Sequence, residues 1–114
     1  MENIIYNELR YRGYMVDVGM VVKREKDKNN KDIKKQLEVD FIANLGSKRY
    51  YIQSAYHLPS VEKMNQEKAS LSNIDDSFKK IIIVNDRVKP FLDEHGILTM
   101  NLFDFLLNKE SLDL

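Results

Sequence analysis

The chain contains no cysteine and no tryptophan, and only two prolines and four glycines. Without cysteine there is no disulfide framework, no thiolate zinc site and no cysteine nucleophile, and a reducing, cytoplasmic setting is the expectation. No apolar run approaches the roughly 18–20 residues that a bilayer-spanning helix needs, so no membrane association is expected. Met1 is followed at once by mixed polar and apolar residues, so no secretory leader is expected either. Charge of one sign is lacking too: 18 Lys and Arg balance 18 Asp and Glu. That balance excludes a globally basic nucleic-acid binder and leaves any such contact to local charge. Gly13, Gly19, Gly46 and Gly96 fall in neither a GxxxxGK[ST] nor a GxGxxG pattern, so these residues supply no phosphate loop and no dinucleotide fingerprint. There is no GxSxG elbow and no HExxH pair.

What is present is 114 residues, 43% hydrophobic and 32% charged, the balance of one folded domain over residues 1–114. Glu2 to Arg12 reads as a helix with Ile4, Ile5 and Leu9 on one stripe, and Gly13 stands where a C-terminal cap belongs. Tyr14 to Val22 reads as a strand. Lys35 to Leu45 alternates, with Leu37, Val39, Phe41 and Ala43 expected on one face and Glu38, Asp40 and Ile42 on the other. Gly46-Ser47 is a two-residue turn candidate into a further strand, Lys48 to His57. After Pro59, Val61 to Ile74 reads as a second helix. The apolar run Lys79 to Asn85 reads as a buried parallel strand reached by a crossover. Ile97 to Met100 reads as a short strand and Leu102 to Leu107 as a short helix, and Asn108 to Leu114 is expected to fray. This order describes an α/β fold with a mixed central sheet flanked by helices.

Between the first two strands lies KREKDKNNKDIKK, residues 23–35, with seven basic and three acidic residues and a local net charge of +4. Asn29-Asn30 marks a hairpin tip. The segment reads either as a solvated loop or as a contact surface for a phosphate backbone, through Lys23, Arg24, Lys26, Lys28, Lys31, Lys34 and Lys35.

The chemistry centres on carboxylates. If Gly46-Ser47 is the whole turn, Leu45 pairs with Lys48, and Asp40 then falls opposite Gln53, Glu38 opposite Ala55 and Gln36 opposite His57. That register predicts a line of polar side chains across one sheet face, beneath an acidic group of the first helix, Glu2 or Glu8. Hard cations such as magnesium or manganese take one or two carboxylates with water and phosphate, and such an ion activates water against a phosphodiester. Asp40 and Gln53 are the candidate metal-facing residues, although Gln53 brings only a neutral amide. His57 reads as a surface histidine more readily than a ligand, and His95, in the turn-like DEHG, has no assigned role.

The element order, with Glu2 eleven residues before Gly13, Asp40 in LEVDFIA and Gln53-Ser54-Ala55 on the following strand, resembles the PD-(D/E)XK, or restriction-endonuclease-like, superfamily. Its core is αβββαβ. The resemblance places Glu2 on the helix Glu, Asp40 on the strand Asp, and Gln53 and Ala55 on the two defining residues of Glu-x-Lys, both replaced. The segments ENIIYNELRYRGY, KQLEVDFIA, KRYYIQSAY and FKKIIIVND resemble, more specifically, a domain of unknown function at the carboxy end of bacterial and archaeal AAA-type P-loop ATPases. This resemblance implies a restriction-endonuclease-like fold carried by an ATPase in the same polypeptide. With Glu-x-Lys replaced at Gln53 and Ala55 and the basic segment 23–35, the expectation is a non-catalytic or degenerate nuclease-like module that contacts DNA or a protein partner. The alternative it implies is a magnesium- or manganese-dependent DNA endonuclease in which Lys63 or Lys68 of the second helix replaces the missing lysine.

Overall fold

The computed structural model describes the backbone of residues 1–55, 71, 74 and 76–114, and the side chains of these except 20–25 and 33–38. The element order is α1 (Glu2–Tyr11), β1 (Met15–Lys26), β2 (Asp32–Leu45), β3 (Lys48–Ala55), β4 (Lys79–Val84), β5 (Phe91–Leu92), β6 (Ile97–Asn101), α2 (Leu102–Leu107) and a closing 3-10 turn, Ser111–Asp113. The expected helix from Val61 to Ile74 falls largely outside the described residues, as do His57, Lys63 and Lys68. Leu71 and Ile74, at its end, are buried.

The strands form one mixed sheet in the order β1-β2-β3-β4-β6-β5. The β1, β2 and β3 strands meander antiparallel, and β3, β4 and β6 run parallel. The apolar run Ile81–Val84 is wholly buried because β4 has a strand on each side and apolar residues on both faces. One layer joins Ile5 and Leu9 of α1, Phe41 and Ala43 of β2, Tyr50 and Ile52 of β3, Ile81 and Ile83 of β4, and Phe105 of α2. The other gathers Val39, Tyr51, Ala55, Leu71, Ile74, Ile82, Val84 and Ile97.

The α1 helix stops where its cap residue allows. Gly13 takes a left-handed φ of 93°, its N–H bonds to the Arg10 carbonyl, and the Tyr14 N–H bonds to the Leu9 carbonyl. That is the Schellman closure, open to glycine because it lacks a Cβ.

Two expectations are corrected. Residues 108–114 do not fray: Ser111 and Leu112 are buried, and the Tyr50 hydroxyl donates to Asp113. Arg12, 5% exposed in its side chain, pins this end down. Its guanidinium donates to Glu8 at 3.1 Å, to the Ser111 hydroxyl at 3.1 Å and to the Phe105 carbonyl, and it lies 4.6 Å from the centre of the Phe105 ring. The stretch from Lys23 to Lys35 is for the most part not a loop. The β1 and β2 strands pair through it, from Lys23 opposite Lys35 to Lys26 opposite Asp32, leaving only residues 27–31 as the tip.

The alternation of β2 is also broken. Asp17 pairs with Ile42 and Gly19 with Val39, so two residues of β2, Asp40 and Phe41, oppose Val18 alone. This bulge reverses the strand's facing. Val39 joins the layer of Ile42 instead of that of Phe41 and Ala43. A Cβ built on Gly19 would stand 2.6 Å from Ile42 Cδ1, so the absence of a side chain at residue 19 admits the irregularity.

Candidate functional site

The predicted turn register holds as far as it can: Leu45 pairs with Lys48 and Phe41 with Ile52. There the β2–β3 ladder ends, and side chains take over from backbone pairing. The Asp40 N–H donates to Gln53 Oε1 at 3.0 Å. In return, Asp40 Oδ2 accepts from the Ser54 N–H at 2.8 Å and from the Ser54 hydroxyl at 3.1 Å. Each strand's side chain thus satisfies a backbone donor next to the other's, at the point where the bulge takes away the regular partner.

This arrangement corrects the expected line of polar groups. On β3, Tyr51 and Ala55 belong to one layer and Tyr50 and Ile52 to the other. Strand alternation therefore puts Gln53, 9% exposed, in the layer of Ile82 and Val84, and Ser54 in the layer of α1. Asp40 reaches the Ser54 hydroxyl on the α1 side, and that hydroxyl also lies 3.4 Å from Glu2 Oε1. The group assembled is Glu2, Asp40 and Ser54. Gln53 touches Asp40 through its backbone and leaves on the opposite face.

The other candidates divide as follows. Glu8 is engaged by Arg12 and is structural. Ala55 is buried in the second layer. Lys68 and Lys63 lie outside the described residues. Lys26, Lys28 and Lys31 are exposed, and Lys23, Arg24, Lys34 and Lys35 occupy successive rungs of the β1–β2 ladder. His95 is an exposed turn residue, 3.6 Å from Glu94. Ser54 was the residue that sequence reasoning passed over. Its signal was Gly19: a glycine inside a strand pattern marks a bulge, and a bulge on this pair brings Asp40 to the face of Ser54.

Above Glu2, Asp40, Tyr6 and Phe41 opens a cleft of about 500 Å³, floored in part by Gly19. Among the described residues no three His, Cys, Asp or Glu side chains are close enough to share a metal ion. On this face the carboxylates that could meet magnesium or manganese are those of Glu2 and Asp40. Asp40 Oδ2 is already held by two donors of Ser54, and the amide expected to complete the set lies in the other layer.

A second polar cluster, at the start of β4, was not expected. Asp76 accepts from the Tyr51 hydroxyl at 2.6 Å, from the Phe78 N–H at 3.0 Å and from Lys80 at 3.3 Å. Burial pushes the Asp76 carboxyl up, but Tyr51, Phe78 and Lys80 together outweigh it and hold the group below the usual carboxylate range. Burial and the bond to Asp76 push the Tyr51 hydroxyl up. The cluster clamps β3 to the entry of β4.

No family model matches the chain. A protein of Haemophilus influenzae, described as uncharacterized, is 32% identical over 107 residues, which are 94% of this chain and 22% of that protein. The chain thus spans about a fifth of the curated relative's length. Among solved structures, the protein of unknown function AF1548 is similar with a TM-score of 0.57 at 15% identity, over 91% of this chain and 57% of that one. At that identity the likeness shows the fold alone, a mixed α/β sheet flanked by helices.

Proposed function

We propose that this chain is a non-catalytic, nuclease-like module with a restriction-endonuclease-like core, which binds DNA as part of a longer polypeptide carrying an AAA-type ATPase. One observation carries the non-catalytic part: the residues at the expected catalytic positions serve as a strand clamp. Asp40 holds Ser54, Gln53 holds the Asp40 backbone, and the two side chains face different layers. The element order α1, β1, β2, β3, then β4 parallel to β3 supports the nuclease-like core. The basic β1–β2 hairpin supports DNA over a protein as the partner. Coverage of 22% of the relative supports attachment to a larger chain.

The test has two arms. Fluorescence anisotropy of labelled duplex, branched and single-stranded DNA should show binding at low salt that weakens steeply as salt rises, because phosphate contacts release counterions. Incubation with supercoiled plasmid and manganese should show no more cutting than an Asp40→Ala control. Absence of binding to every DNA form removes the DNA assignment. Manganese-dependent cutting that Asp40→Ala abolishes would establish the endonuclease alternative instead.

A further inference from the structure

Among the described residues, β2 has no pairing with β3 beyond the Phe41–Ile52 rung, and from Gly19–Val39 to Lys26–Asp32 the β1–β2 ladder consists of two strands alone. Those eight rungs extend about 26 Å at the usual strand rise. The whole molecule measures 50 × 33 × 23 Å, so this ribbon is a large part of its length. We propose that the ribbon is the DNA-contacting element and that it lies in the major groove of duplex DNA. The inference rests on the DNA-binding reading above and names the surface and the form of nucleic acid.

Charge is segregated onto the ribbon. Residues 23–35 carry +4, and since the whole chain is neutral, the eleven basic and fifteen acidic residues elsewhere carry −4. A polyanion is therefore attracted to the ribbon and repelled by the body, which limits contact to one end of the molecule. The rungs themselves favour an anionic partner. In the register Lys23 stands opposite Lys35 and Arg24 opposite Lys34, so two successive rungs hold only basic residues, a concentration of positive charge that suits a polyanion.

The tip is ordered in advance. Asp27 Oδ1 accepts from the Asn29 N–H at 2.8 Å and the Lys31 N–H at 2.9 Å, and Asn30 takes a left-handed φ of 63°, which asparagine tolerates better than most residues. One of the ribbon's four acidic groups is thus turned onto its own backbone, and exposed Lys28 and Lys31 flank it. A preformed tip loses less freedom on binding.

Shape selects the groove. The major groove of B-form DNA, about 12 Å wide, admits a two-stranded ribbon, whereas the minor groove, about 6 Å wide, does not. The A-form RNA major groove is too deep and narrow to be read in this way. Duplex DNA is therefore the expected ligand, ahead of duplex RNA.

The deciding variant is Arg24→Glu. It sets a carboxylate opposite Lys34, so the rung changes from like-charged to oppositely charged and the melting temperature holds or rises. Affinity for duplex DNA should nevertheless fall roughly tenfold or more, and the dependence of log K on log salt should flatten by about one unit. Lys23→Glu, opposite Lys35, should behave in the same way. Arg87→Glu with Lys89→Glu, on the β4–β5 connection, should leave affinity within about twofold.

Methyl green, which occupies the major groove, should displace the protein, and netropsin in the minor groove should not. If the unaltered protein binds no DNA at low salt, the underlying DNA reading fails and this inference with it. If it binds DNA but Arg24→Glu and Lys23→Glu bind equally well, the ribbon assignment alone is overturned. Displacement by netropsin overturns the groove. Equal competition by polyglutamate overturns DNA in favour of an acidic protein surface.

Discussion

Gln53 and Asp40 are joined through a backbone N–H and an amide oxygen 3.0 Å apart, while their side chains belong to opposite layers of the molecule. The pair is a structural fastening at the end of the β2–β3 ladder, and its chemistry follows from that role.

Placing an acid at residue 53 should therefore destabilise the fold without creating a metal site. Gln53→Glu buries a carboxylate among Ile82 and Val84 with the Asp40 N–H as a donor, at a cost of about 1–3 kcal/mol. Thermal melts at neutral pH should show the loss. The double variant Gln53→Glu with Ala55→Lys should remain unable to cut plasmid with manganese, because residues 53 and 55 face away from Asp40 and Glu2. Gained cleavage would show that the two faces communicate.

The bulge should respond to volume at residue 19. Gly19→Ala meets Ile42 Cδ1 at 2.6 Å, the mobile end of a side chain, so the cost should be about 1 kcal/mol. Ile42→Val removes that methyl, and the double variant should lose less than the two single costs combined. Denaturant melts of the four proteins form the cycle, and strict additivity would place the strain elsewhere.

Arg12 should be the most sensitive charged position described. Arg12→Ala removes the donors to Glu8, Ser111 and the Phe105 carbonyl and should cost about 2–4 kcal/mol. Arg12→Lys keeps the charge but not the planar fork and should recover only part of it. Hydrogen exchange should show that residues 108–114 open first in both variants. Unchanged protection there would detach Arg12 from the terminal turn.

Asp76 should contribute stability that acid removes. Its folded-state pKa lies below the ordinary value, so the contribution is present above the unfolded pKa of about 3.9. It is lost as pH falls through the lower folded value. Asp76→Asn should be less stable at neutral pH by about 1 kcal/mol, and the gap between the two proteins should close on acidification below about pH 4. A gap that stays constant to the lowest pH at which both fold would exclude the ionised carboxyl as the source.

Much of the sheet was legible because its signals are local. Gly46-Ser47 between two alternating segments set the Leu45–Lys48 rung, and the unbroken run at Ile81–Val84 required a strand covered on both faces. The site was less legible. In Leu37, Val39, Phe41 and Ala43 the alternation looks continuous, and the extra residue that breaks it becomes visible only against the partner strand, where Gly19 leaves room for Ile42. The terminal segment was misread for a related reason: Ser111 and Leu112 are unremarkable in sequence, yet Ser111 is met by Arg12, about a hundred residues away, and Leu112 joins the core on the α1 side.

Composition and periodicity by themselves determined a small α/β domain, the turn joining β2 to β3, the buried parallel strand and a basic segment set apart from an acidic remainder. These follow from spacing between near neighbours in the chain. Which carboxylate meets which hydroxyl was decided only when β1, β2 and β3 were laid side by side. One extra residue in a ladder turns side chains to the other face, and that count depends on two strands at once.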